Sequence, residues 1–173
     1  MSDSHYAKGW PYAALPTRSR RTEVPEPLAR RQEALARAPL FSGLPKRHVR
    51  QLARVSRVAV YPEGTDIVTE GSVGSAFFVI LEGRAKVVRG GRTVTRLGPG
   101  DFFGELSLLD GGRRAASVVV EDTARCLYLS GKDFVGVLEH DASLSLRVLK
   151  GVARWLREAG GPPTPTDNLA RRP

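Results

Sequence analysis

Ala76-Phe77-Phe78-Val79-Ile80-Leu81 is a continuous apolar run of the kind that suits a strand covered on both faces. Downstream, Ala85–Arg89 and Thr93–Leu97 flank Gly90-Gly91, and two glycines supply the positive φ angles of a tight hairpin. Gly64, Gly71, Gly74, Gly83, Gly98 and Gly100 punctuate the surrounding region at turn-like intervals. Short strands so spaced, from Val58 to Ser130, predict a small barrel or roll. Arg125–Leu129 reads as its last strand, with Cys126 as small core packing. The predicted fold class is mainly β with helices (α+β): an antiparallel, jelly-roll-like β-roll flanked by N-terminal helices and a C-terminal helix pair.

Helical patterns lie on either side. Leu28–Ala38 is rich in Ala, Leu, Arg and Glu and should end before Pro39. Pro45 suits the first position of another helix. There Val49, Leu52 and Ala53 form an apolar stripe, with Arg47, Arg50, Arg54 and Arg57 on another face and His48 facing solvent. Gly131 to about Glu139 reads as a short helix. Asp141 or Ser143 can cap a longer one to about Ala159, with Leu144, Val148, Val152, Trp155 and Leu156 as its stripe. Residues 1–27 read as a basic, Pro-rich, poorly ordered arm, in which Trp10 and Tyr12 could dock a partner. Residues 28–159 form the domain, with the roll over about 58–130 and the last helices over about 131–159. Residues 160–173 read as a loose tail.

The composition narrows the classes. The chain has 173 residues, enough for one domain with tails. One cysteine excludes an internal disulfide. No stretch nears the roughly 18 apolar residues of a membrane span, and no apolar leader precedes the domain, so a cytoplasmic location is expected. The net charge of +9 suits an anionic ligand, nucleic acid or an acidic partner. His5, His48 and His140 lack metal-ligand spacing, and no catalytic motif stands out. A non-enzyme without metal or cofactor is expected.

The chemistry concentrates in Asp101-Phe102-Phe103-Gly104-Glu105-Leu106-Ser107-Leu108-Leu109 and Arg113-Arg114-Ala115-Ala116-Ser117. Gly104 permits a sharp turn and a close ligand approach. If Glu105–Leu109 makes a helical turn, its first N–H groups lack intrahelical partners and favour an anion. The planar fork of Arg114 can hold two phosphate oxygens. Glu105 can accept from a ribose hydroxyl, and the small Ala115 and Ala116 let backbone approach. A helix cap at Glu105 and a structural Glu105–Arg114 ion pair fit this spacing equally well.

From Leu40 to about Arg157, about two thirds of the sequence, the chain resembles the cyclic nucleotide-binding domain family. This is the module of catabolite activator proteins, protein kinase A regulatory subunits and cyclic-nucleotide-gated channels. The signature is the cassette Phe103–Leu109 followed by Arg114–Val118. Gly98-Pro99-Gly100-Asp101-Phe102 before it, Gly71, and Leu81-Glu82-Gly83 also look like the family. The resemblance implies a site of Gly104, Glu105, Leu106, Ser107, Arg114, Ala115, Ala116 and Ser117. In it Glu105 meets the ribose and Arg114 the cyclic phosphate, while backbone groups of Gly104, Ser107 and Ala115 complete the cradle. Ala115, directly after the arginine, goes with cAMP rather than cGMP. Trp155, Arg154 and Arg147 are candidates to cap the base from the last helix, although the place of Trp155 on the apolar stripe favours core packing over capping.

The expected function is a cyclic-nucleotide sensor that signals to an effector protein through movement of the C-terminal helix. That helix would also serve a homodimer. About fourteen residues follow Ala159, four of them proline, so no helix-turn-helix is expected there. Two alternatives remain at this stage. The basic faces Arg47/Arg50/Arg54/Arg57 and Arg147/Lys150/Arg154/Arg157 could bind nucleic acid through phosphates. The fold could also serve as a nucleotide-independent interaction module.

Overall fold

The structure, a computed structural model, describes residues 21–159, without the side chains of Trp155, Leu156, Glu158 and Ala159. Its strands are β1 (Thr22–Val24), β2 (Arg57–Tyr61), β3 (Asp66–Val68), β4 (Ala76–Arg89), β5 (Arg92–Leu97), β6 (Phe102–Phe103) and β7 (Ser117–Ser130). Its helices are α1 (Leu28–Arg37), α2 (Lys46–Val55), α3 (Glu105–Asp110), α4 (Gly131–His140) and α5 (Ala142–Ala159), with a 3₁₀ turn at Pro39–Phe41.

The run at 76–81 belongs to a strand of 14 residues that continues through Ala85–Arg89. Irregular register between Ile80 and Ala85 bends it, so one strand serves both ends of the roll. Gly90 (φ 55°) and Gly91 (φ 76°) then turn the chain into β5, as the two-glycine loop predicts. The antiparallel strand path is β1-β2-β7-β4-β5, with β3 on β7 and β6 on β4.

Alternation along β4 and β7 builds two cores. Phe78, Ile80, Cys126 and Tyr128 point into the roll with Tyr61, Ile67 and Val87. Phe77, Val79, Leu127 and Leu129 point the other way, onto Leu35, Phe41, Leu52, Phe134 and Leu144 of the helical layer. This is why the run is apolar at every position. Cys126 is sealed inside the roll, where burial pushes its thiol up to about 12.

The N-terminal side departs from expectation. The loose arm predicted over 1–27 does not hold for Thr22–Glu26, because β1 pairs antiparallel with the edge of β2. Its polar side chains tie it down. Tyr128 donates its hydroxyl to Glu23, and the Arg21 guanidinium lies 4.8 Å from the Tyr128 ring centre. Glu26 is buried and paired with Arg30 (3.4 Å) and Arg125. Trp10 and Tyr12 lie outside the described residues, as does the tail from Gly160.

Two details of α2 also differ. His48 is 1% exposed rather than facing solvent, since its ring turns beside Val49 toward Asp141 (Nε2–Oδ2 3.5 Å). Arg57 is not on the basic helix face; the helix stops at Val55 and Arg57 begins the β2 pairing. Asp141 caps α5 as expected, its Oδ1 accepting from Leu144 N (2.9 Å), while Oδ2 accepts from Gln51 of α2 (3.1 Å). Among the described residues no helix is long and apolar enough to cross a membrane.

Candidate functional site

A cleft open to solvent is walled by the hairpin strands on one side and by α3 and the start of β7 on the other. The sequence places its parts through two local events. Gly104, at φ 83°, reverses the chain between β6 and α3. Gly111 then ends α3 in the left-handed conformation, its N–H on Ser107 O (3.0 Å), and the chain returns toward Arg114. Asp110 Oδ1 accepts from Gly112 N (2.7 Å) and stiffens that return.

Gly104, Glu105, Leu106, Ser107, Arg114, Ala115 and Ala116 all line the cleft. Ser117, predicted with them, does not. It is the first residue of β7, and its hydroxyl accepts from Glu70 N (2.8 Å). The wall also contains Val68, Val87 and Leu97, which sequence reasoning missed, and Phe102, Phe103, Arg113 and Val118, which lay in the motif stretch but outside the predicted site. Period-two alternation on β4, β5 and β7 carried the signal for Val87, Leu97 and Val118, which turn to the same face of the roll.

Arg114 is 6% exposed, and its Nη1 donates to Ala76 O at 3.0 Å. Burial pulls its pKa down to about 10, against the smaller opposing pull of Glu105. At neutral pH the guanidinium is still charged, and its burial opposes that charge. Glu105 is 8% exposed, and burial raises its carboxyl above the usual range, partly offset by its own backbone N–H and by Arg114. Among the described residues the two heads form no direct ion pair, so the structural-pair alternative loses ground. Each feels the other's charge without touching it, and burial still opposes ionisation of both.

Gly104 lines the cleft as expected and also has a packing task. A Cβ there would lie 2.4 Å from Ala76 O and 2.6 Å from Arg114 Nη1. The absent side chain makes room for the Arg114–Ala76 hydrogen bond. The base-capping candidate Trp155 has no described side chain; Arg147 and Arg154 are exposed on α5.

Comparison with known proteins gives the same assignment. A family model described as the cyclic nucleotide-binding domain matches residues 58–141. The chain is 35% identical over 127 residues to the cyclic AMP receptor protein of Thermus thermophilus, covering 70% of this chain and 59% of that protein. It is 32% identical over 134 residues to a cyclic nucleotide-gated potassium channel of Rhizobium etli, covering 78% of this chain and 37% of the channel. The chain thus spans less than two thirds of either relative. The crystal structure of the N-terminal domain of a Streptomyces coelicolor transcriptional regulator superposes with a TM-score of 0.67 at 28% identity, covering 72% of this chain and 93% of that one. These relatives are a receptor, a channel and a regulator by name. Residues 58–141, which hold the roll, the turn into α3 and the buried arginine after it, belong to the cyclic nucleotide-binding domain family.

Proposed function

We propose that the chain is a non-catalytic sensor that binds a cyclic nucleotide in this cleft, cAMP in preference to cGMP. The observation that carries the reading is Arg114: a buried guanidinium anchored through one N–H to Ala76 O, with its other donors left for an anion. The cyclic phosphate supplies the missing negative charge. Glu105 accepts from the ribose 2′-hydroxyl, and the Ser107 and Ala115 backbone groups close the cradle. Val87, Leu97 and Val118 offer the purine an apolar wall. Ala115 carries no hydroxyl for the guanine amino group, which favours adenine.

Calorimetric titration of the purified chain with cAMP and cGMP tests the proposal. Tighter binding of cAMP is expected, and Glu105→Ala should weaken it by roughly 1.5–3 kcal/mol, or about one to two decades. Failure of both nucleotides to bind at millimolar concentration would defeat the reading.

For signalling, we propose that ligand binding shifts α5 against the roll and so alters a surface read by an effector protein. The support is the position of Asp141. It caps α5 and is bonded to Gln51 and close to His48, so α5 and α2 share one polar joint. Hydrogen exchange should change across 144–154 when cAMP is added. Unaltered protection there would count against a moving helix.

A further inference from the structure

Arg114 has a neighbour with the same head group on the same cleft. Arg113 also lines it, but in an opposite setting. Arg114 is buried on the cleft floor, whereas Arg113 is exposed at the rim. Its Nη1 donates to Gly71 O at 2.7 Å, which fixes the guanidinium in place and leaves its remaining N–H groups unspent.

The backbone explains why Arg113 stays there. Arg113 pairs with Val73 in an isolated antiparallel bridge. Arg114 N donates to Ser72 O and Gly71 N to Arg114 O, both at 2.8 Å. Segments 71–73 and 113–114 are therefore zipped into one wall. The carboxylates closest in sequence to this wall bond backbone N–H groups rather than Arg113. Glu70 Oε2 accepts from Gly90 N at the hairpin tip (2.9 Å), and Asp110 accepts from Gly112 N (2.7 Å). Among the described residues Arg113 makes no ion pair, so no carboxylate touches its guanidinium.

We propose that Arg113 is a second cation of the cyclic-nucleotide site, held at the rim by Gly71 to draw the anionic ligand in, while Arg114 holds it. The assignment rests on the reading of the cleft given above. The two arginines divide the kinetics. A rim charge acts on the association rate and its salt dependence, whereas a buried partner acts on dissociation. Screening over about 8 Å at physiological ionic strength makes the rim contribution strongest at low salt.

Stopped-flow association of a fluorescent cAMP analogue with the full chain, over a range of salt concentrations, tests this. Arg113→Gln keeps an N–H donor for Gly71 O but removes the charge; Arg113→Lys keeps the charge. Arg113→Gln should slow association at low salt roughly three- to tenfold and flatten the salt dependence, with dissociation changed less than about twofold. Arg113→Lys should stay within about twofold of the parent. A parental salt dependence in Arg113→Gln would overturn the proposal. So would a Lys variant as slow as the Gln variant, since that pattern reports bracing rather than charge. If the parent chain binds neither cAMP nor cGMP, the reading of the cleft fails, and the role of Arg113 fails with it.

Discussion

Arg114→Ala is expected to weaken cAMP binding by about two to four decades, a loss of roughly 3–5 kcal/mol, because it leaves a desolvated phosphate without its partner. The empty protein should respond quite differently. Its own guanidinium pKa is depressed to about 10. A depressed folded-state pKa means stability is present above the unfolded value and lost as pH falls through the folded one. At neutral pH the charged arginine therefore costs the empty fold stability, and alanine removes that cost together with one hydrogen bond to Ala76 O. The unliganded melting temperature should change little while affinity collapses. The same sign governs pH. Ligand needs the charged guanidinium, so cAMP affinity in the parent should decline as pH rises beyond about 10, and the decline should vanish in Arg114→Ala. Calorimetry of both proteins, with thermal melts of the empty forms, reads all three effects. Undiminished affinity in the variant would remove Arg114 from the site.

Phe77→Ala should have the largest effect on the fold. Phe77 is fully buried where the sheet meets the helices. Its ring stands edge-on to Phe41 at 5.5 Å and lies 5.9 Å from Phe102. Truncation removes apolar contact and leaves a cavity between two layers that cannot collapse freely, at about 3–5 kcal/mol. Phe102 leads directly through Phe103 and Gly104 into α3, so the cavity also loosens the lead-in to the cleft. Urea unfolding, with and without cAMP, should show the midpoint drop in both conditions and partial rescue by ligand. A loss below about 1 kcal/mol would mean that the helical layer is not anchored through this ring.

Much of this was legible in the residues, for identifiable reasons. The two-glycine hairpin, the run at 76–81 and the Asp141 cap each depend on local backbone rules, and each appears where the rule puts it. Arg114 and Glu105 announced themselves by residue type. Several features depended on distant partners instead. β1 has only three residues, and its pairing exists because β2 offers a free edge. His48 is buried because Asp141, 93 positions later, comes to it. Ser117 looked like a ligand contact by its place after Arg114-Ala115-Ala116, yet Glu70 takes its hydroxyl. Gly104 was legible as a turn beside the cleft, but only the fold reveals that Ala76 O and Arg114 also crowd its Cβ position. Helix and turn signals travel within a few residues; edge pairing and side-chain burial do not.

The single sulfhydryl has a practical corollary. Cys126 is enclosed, and burial suppresses its thiolate at physiological pH. A maleimide reagent can reach that sulfur only while the sheet is parted, so the labelling rate measures how often the interior breathes. The molecule thus carries its own chronometer for opening, with no reporter group to introduce.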